Sequence, residues 1–89
     1  MIQELLRKGL EAFARYLYAQ TGEDVTLDDV RFVWQVKCLQ NYKYIITAPK
    51  VPGYIAELTY NGDKEELYVD CYCKMRNEVL TEKEDTAYD

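Results

Sequence analysis

The sequence predicts a small α+β domain: a three-stranded antiparallel meander flanked by N- and C-terminal helices, in the order α-β-β-β-α. Three observations carry this expectation. Apolar residues recur at steps of three and four over residues 2–20, the repeat of a one-sided helix. The repeat then falls to two in three short runs between residues 30 and 60, separated by turn residues. Helical spacing returns after Asn61-Gly62. The chain of 89 residues has room for one domain whose core needs neither metal nor disulfide, with little stability to spare. Residues 1–80 are expected to form it, and residues 81–89 an acidic flexible tail.

In the first helix Ile2, Leu5, Leu6, Leu10, Phe13, Tyr16 and Leu17 share one side, and Gln3, Glu4, Arg7, Lys8, Glu11 and Arg15 the other. Gly22 is suited to end it, because glycine enters the left-handed region at little cost. Gly9 sits inside the apolar stripe, where it weakens a helix by about 1 kcal/mol relative to alanine. Close approach of another backbone would account for it. The first strand follows the polar segment "EDVTLDD", with Val30, Phe32, Trp34, Val36 and Cys38 expected on the core face. After the turn at "LQN", Tyr42, Tyr44, Ile46 and Ala48 share a face of the second strand. "PKVPG" ends that strand, since proline cannot donate to a ladder. The third presents Tyr54, Ala56, Leu58 and Tyr60.

The segment "NGDKEELYVDCYCKMRNEVL" admits two readings. Asn-Gly is a strong hairpin signal and would make residues 65–76 a fourth strand. A two-residue hairpin, however, sets Asp63, Lys64, Glu65 and Glu66 opposite the apolar end of the third strand. The same charges suit a helix start, with Asp63 as cap and Glu66 at capping-box spacing. Leu67, Tyr68, Cys71, Tyr72, Met75 and Val79 then lie on one arc. The helix is preferred and the strand stays as the alternative. Both helices are expected to cover the face formed by Trp34, Tyr44 and Leu58.

The spacing Cys71-x-Cys73 raises the question of a metal or redox site. On a helix the two side chains diverge by about 200°. On a strand they share the core face, where thiols act as small apolar groups. Zinc takes four ligands, and the chain offers three cysteines and no histidine. No metal and no cofactor is expected. In the helical reading Cys73 projects with Val69 and Leu80 as a half-exposed thiol.

Other chemistries are also poorly provided for. Without histidine the commonest general base is missing, and without serine so is the commonest hydroxyl nucleophile. The four glycines are scattered and make no phosphate loop. Asp28-Asp29 and Glu65-Glu66 stand at element starts, where capping explains them. The domain reads as a non-enzyme.

Net charge is −5, but the last nine residues contribute −3 of it. The rest is near balance, so neither a basic nucleic-acid groove nor a concentrated acidic surface stands out. No run approaches the roughly 20 apolar residues of a membrane span. "MIQELLRKGLEAF" lacks the continuous apolar stretch of a signal peptide. Reduced thiols in a cytosol fit these features.

Two blocks, "VWQVKCLQNYK" and "ELTYNGDKEELYVDCYCKMRNEVL", resemble a family of small uncharacterised proteins of phages and prophages of Gram-positive bacteria. Val33, Trp34, Lys37, Leu39, Gln40, Asn41 and Lys43 carry the likeness in the first block. Thr59, Tyr60, Asn61, Gly62, Asp63, Lys64, Glu66, Tyr68, Asp70, Tyr72, Lys74 and Asn77, with Glu57, carry it in the second. The blocks cover under half of the chain. The resemblance implies phage origin, action in the host cytoplasm and no known activity. The family pattern has a small residue and a lysine where Cys71 and Cys73 stand, which argues further against metal binding.

The leading functional expectation is a phage adaptor or inhibitor acting by protein contact, on a host complex such as an antiviral defence system. Candidate contacts are Tyr68, Tyr72, Cys73 and an apolar line through Val33, Ile45 and Ile55, since aromatic anchors in polar surroundings are typical hot spots. For each of them, packing in the core is an equally good account. Homodimerisation through the open sheet face is a simpler form of the same idea. The alternative is a nucleic-acid-binding accessory protein, because α-β-β-β-α is also the order of double-stranded RNA-binding domains. Those domains place lysines at the start of the second helix. Here "DKEEL" offers mostly carboxylates, so nucleic acid is the less favoured partner.

Overall fold

Apolar spacing over residues 2–20 becomes a helix, and every run of period two becomes a strand. The computed structural model describes residues 2–82. Among these residues lie one helix, α1 (Ile2–Thr21), a short 3-10 turn (Leu27–Asp29) and four strands, β1 (Arg31–Cys38), β2 (Asn41–Thr47), β3 (Tyr54–Asn61) and β4 (Glu66–Cys73). The strands form one antiparallel sheet in the order β1-β2-β3-β4. The expected three-stranded meander with a C-terminal helix is therefore corrected. The fourth element is a strand, and residues 74–81 are neither helix nor strand. The expected acidic tail falls almost wholly outside the described residues.

The loop between β3 and β4 explains the correction. Asn61 pairs with Glu66, so the connection has four residues, not two. Asp63, Lys64 and Glu65 stay in the turn, and only Glu66 enters the ladder. The charge clash that favoured a helix does not arise. Asn61 Oδ1 accepts the amides of Asp63 at 3.0 Å and Lys64 at 3.2 Å, a side-chain-stabilised turn of the kind asparagine favours. The neighbouring β1–β2 turn braces it. Gly62 N–H donates to Asn41 Oδ1 at 3.1 Å, and Gln40 Nε2 donates to Asp63 Oδ1.

The core lies between α1 and one face of the sheet. Phe13 and Leu17 from α1, with Ile46, Ala48, Ala56 and Leu58, are wholly buried. Val25, Val30, Tyr44 and Val51 complete the cluster. Burying a large apolar side chain contributes about 1.5–3 kcal/mol, so these few residues carry much of a small domain's stability. Gly9 does mark close approach, but of a side chain and not of a backbone. A Cβ there would lie 2.7 Å from Leu67 Cδ2 on β4. The helix ends at Gly22, whose φ is +78° and whose amide donates to the Tyr18 carbonyl at 2.8 Å. Among the described residues no helix is long and apolar enough to cross a membrane.

The face expected for the second half of β1 is also corrected. Trp34, expected on the core face, is 49% exposed. Phe32 pairs with Ile46 and Trp34 with Ile45, leaving Val33 as an extra, unpaired residue. A β-bulge of this kind adds one residue to a strand and resets its alternation. Phe32 remains on the helix side, while Trp34, Val36 and Cys38 turn to the other. All of β1 is exposed, because α1 packs mainly over β4 and β3.

Candidate functional site

Residues directly opposite each other in a ladder share a face, so the register builds the open face row by row. Thr47, Ile55 and Tyr72 form one row, and Ile45, Glu57 and Asp70 the next. Lys43, Thr59 and Tyr68 form the third. β1 adds Trp34 beside Ile45 and Val36 beside Lys43. Among these, Trp34, Val36, Ile55, Tyr68 and Tyr72 are exposed, and so is the Asp70 carboxylate. The result is an aliphatic and aromatic surface on a rigid ladder.

Charges on this face are distributed and partly paired. Lys43 Nζ lies 3.2 Å from Glu57 Oε2. Tyr68 Oη donates to Glu66 Oε1 at 2.7 Å, and that bond, aided by the carboxylate's charge, holds the phenol pKa above its ordinary value. Phenols that keep a polar tip over an apolar ring suit contact with another protein surface.

The expected contact residues separate into three groups. Ile45, Ile55, Tyr68 and Tyr72 share the open face. Val33 is exposed at the bulge, and Trp34 takes the place beside Ile45 expected for Val33. Cys73 stands opposite Tyr54 on the helix side, exposed at the strand end. It shares that side with Val69 but also with Leu67 and Cys71, from which the helical reading sets it apart, and the helical arc that added Leu80 does not exist.

Sequence reasoning missed Trp34 and Val36, because nothing in "RFVWQVKC" marks where alternation resets. It also missed a cleft of about 670 Å³ between the start of α1 and the β1–β2 turn, walled by Ile2, Leu5, Leu39, Tyr42 and Tyr60. Lys37 Nζ sits 5.5 Å from the centre of the Tyr42 ring, within cation–π range. Leu39 is 80% exposed with φ +57°, an uncommon conformation for a leucine.

The three cysteines are free thiols. Cys71 is half-buried, and burial together with the Asp70 charge pushes its thiol pKa up. That shift disfavours the thiolate needed for nucleophilic chemistry. Among the described residues no group of three or more cysteine, aspartate or glutamate side chains is arranged to hold a metal ion. Nor is any buried side-chain polar atom there left without a hydrogen-bond partner. The order α-β-β-β-α that suggested a double-stranded RNA-binding domain is not the order observed, and "DKEEL" is a turn and strand start, not a helix start.

A protein-family model described as a family of unknown function (DUF6275) matches residues 6–82. No curated protein and no solved structure matches the chain.

Proposed function

The chain belongs to the DUF6275 family of unknown function, and we propose that it is a small non-enzymatic phage or prophage protein acting by protein–protein contact. Its partner is a host or phage protein in the bacterial cytoplasm, and its effect is to modulate or inhibit a host complex such as an antiviral defence system. One observation carries the contact reading: the open face exposes Trp34, Val36, Ile55, Tyr68 and Tyr72 together on a rigid sheet. Tryptophan and tyrosine dominate interface energetics, because they bury large areas at low entropic cost. The phage and Gram-positive assignment rests on the sequence resemblance of the two blocks "VWQVKCLQNYK" and "ELTYNGDKEELYVDCYCKMRNEVL".

Capture from lysate of a Gram-positive host tests this reading. The bait is the wild-type chain, beside the double variant Ile55→Lys with Tyr72→Lys and the control Tyr18→Lys on α1. The expected result is a protein retained by the wild type and the control and lost with the open-face variant, all three keeping the same circular dichroism. Retention indifferent to Ile55 and Tyr72 would remove the face from the proposal. Binding to duplex nucleic acid that weakens steeply with salt would replace it.

A further inference from the structure

The two edges of the sheet are complementary to each other. Among the described residues, β1 and β4 are hydrogen-bonded to a neighbouring strand on one side only. β1 carries Arg31 and Lys37 and no acidic residue, while β4 carries Glu66 and Asp70 and no basic one. All eight residues of β1 are exposed although five are apolar, an unusual edge for a strand that stays alone. We propose that copies of this chain associate head to tail, β1 of one copy pairing with β4 of the next and continuing the antiparallel sheet.

Direction and register both support this occupant. Strands in a meander alternate in direction, so the first and fourth run oppositely. A copy displaced along the sheet presents its β4 antiparallel to β1 without any rotation. Side chains must also keep their face, since a slip of one residue exchanges the two faces. With Val33 left out as the bulged residue, Arg31 falls opposite Asp70, Phe32 opposite Val69, Trp34 opposite Tyr68 and Gln35 opposite Leu67. Arg31, Trp34, Asp70 and Tyr68 all belong to the open face, and Phe32 and Val69 to the helix side. This register makes an ion pair and an aromatic pair at once, both favourable across antiparallel strands. Slipping it by two residues in either direction puts an acidic residue opposite Trp34 and a tyrosine opposite Arg31. The charges and the bulge, which discourage indiscriminate edge pairing, here select one partner edge.

Such a contact is heterologous, so each added copy leaves one β1 and one β4 edge free. Growth continues to a ring or a filament and does not stop at two. The open face stays uncovered and is repeated along the assembly. Trp34 and Tyr68 line the seam, while Ile55 and Tyr72, whose replacement tests protein contact, lie outside the paired stretch, so the two proposals are tested separately.

Sedimentation velocity of the full chain over a concentration series, at low salt under reducing conditions, tests it. Mass is expected to rise past two copies. Arg31→Glu alone and Asp70→Arg alone each raise the concentration needed for assembly by about tenfold or more, as like charges then face each other. An equimolar mixture of the two single variants regains assembly, because every β1–β4 contact between unlike copies is again opposite in charge. Monomer mass throughout overturns the proposal. So does a dimer indifferent to Asp70→Arg, the result for two β1 edges paired about a two-fold axis. So does a mixture that assembles no better than its components.

Discussion

At Gly62 the two hairpin turns touch, and a Cβ there would lie 2.2 Å from the Gln40 carbonyl oxygen. That neighbour is backbone within a tight turn and cannot move aside cheaply. Overpacking of this kind costs about 1–3 kcal/mol, so Gly62→Ala is expected to lose that much stability in urea unfolding. Gly9 makes the informative contrast. Its hypothetical Cβ meets the end of the Leu67 side chain at 2.7 Å, which can rotate, and alanine contributes about 1 kcal/mol to helix formation. The two effects oppose each other, and Gly9→Ala should unfold within about 1 kcal/mol of the wild type. Equal losses at both glycines would contradict the distinction between a rigid neighbour and a flexible one. Gly9 was legible in the sequence as a close-packed position, because a glycine in an apolar stripe gives up helix propensity and only tight packing offsets that loss. Its neighbour was not legible, since that depends on which strand the helix crosses.

At the scale of elements, α1, β2 and β3 follow from hydrophobic spacing, and their core faces are those that Phe13, Tyr44, Ile46, Ala56 and Leu58 mark out. Two elements resisted for different physical reasons. In β4, Leu67, Cys71 and Met75 suit a helical arc, and Leu67, Val69 and Cys71 suit a strand face equally well. Tertiary context decides, because β3 offers a free edge and the four-residue turn removes the charge conflict. In β1 a single extra residue at Val33 moves Trp34 and Val36 from the expected core to the open face, so the candidate surface was only half readable. The bulge makes a sharp prediction. Deleting Val33 removes the unpaired residue and keeps the pairs Phe32–Ile46 and Trp34–Ile45, so Trp34 should stay on the open face. As Trp34 is the only tryptophan, nuclear Overhauser contacts of its indole read the outcome directly. Contacts to the Ile45 side chain on the open face are expected in the variant as in the wild type. Contacts to Tyr44 on the helix side instead would show that Val33 occupies a regular ladder position.

Across the whole molecule, the pattern of titrating groups sets the pH range of stability. The chain has no histidine, so the usual titration near neutrality is missing. On the acid side Asp29, which accepts the Thr26 amide at 2.9 Å, has its pKa held low by that bond. A lowered folded-state value gives stabilisation present above the unfolded value and lost as pH falls through the folded one. On the alkaline side the sign reverses. Burial raises the Cys71 thiol above 9.0, burial and Tyr42 raise Tyr44 above 10.0, and the bond to Glu66 raises Tyr68 above the same value. For each, the folded state favours the protonated form, so its stabilisation is complete below the unfolded value and lost as pH climbs through the folded one. Cys71 therefore begins the alkaline decline and the tyrosines extend it. Cys71→Val keeps an apolar side chain of similar size opposite Ala56 and removes the first titration. Thermal midpoints measured from pH 7 to 10.5 are expected to fall for the wild type from about pH 9, and for the variant only from about pH 10. Repulsion among the acidic surface charges grows with pH in both proteins alike, so it cancels in the comparison. Coincident declines would place the Cys71 thiol in a solvated setting and so contradict its position beneath α1.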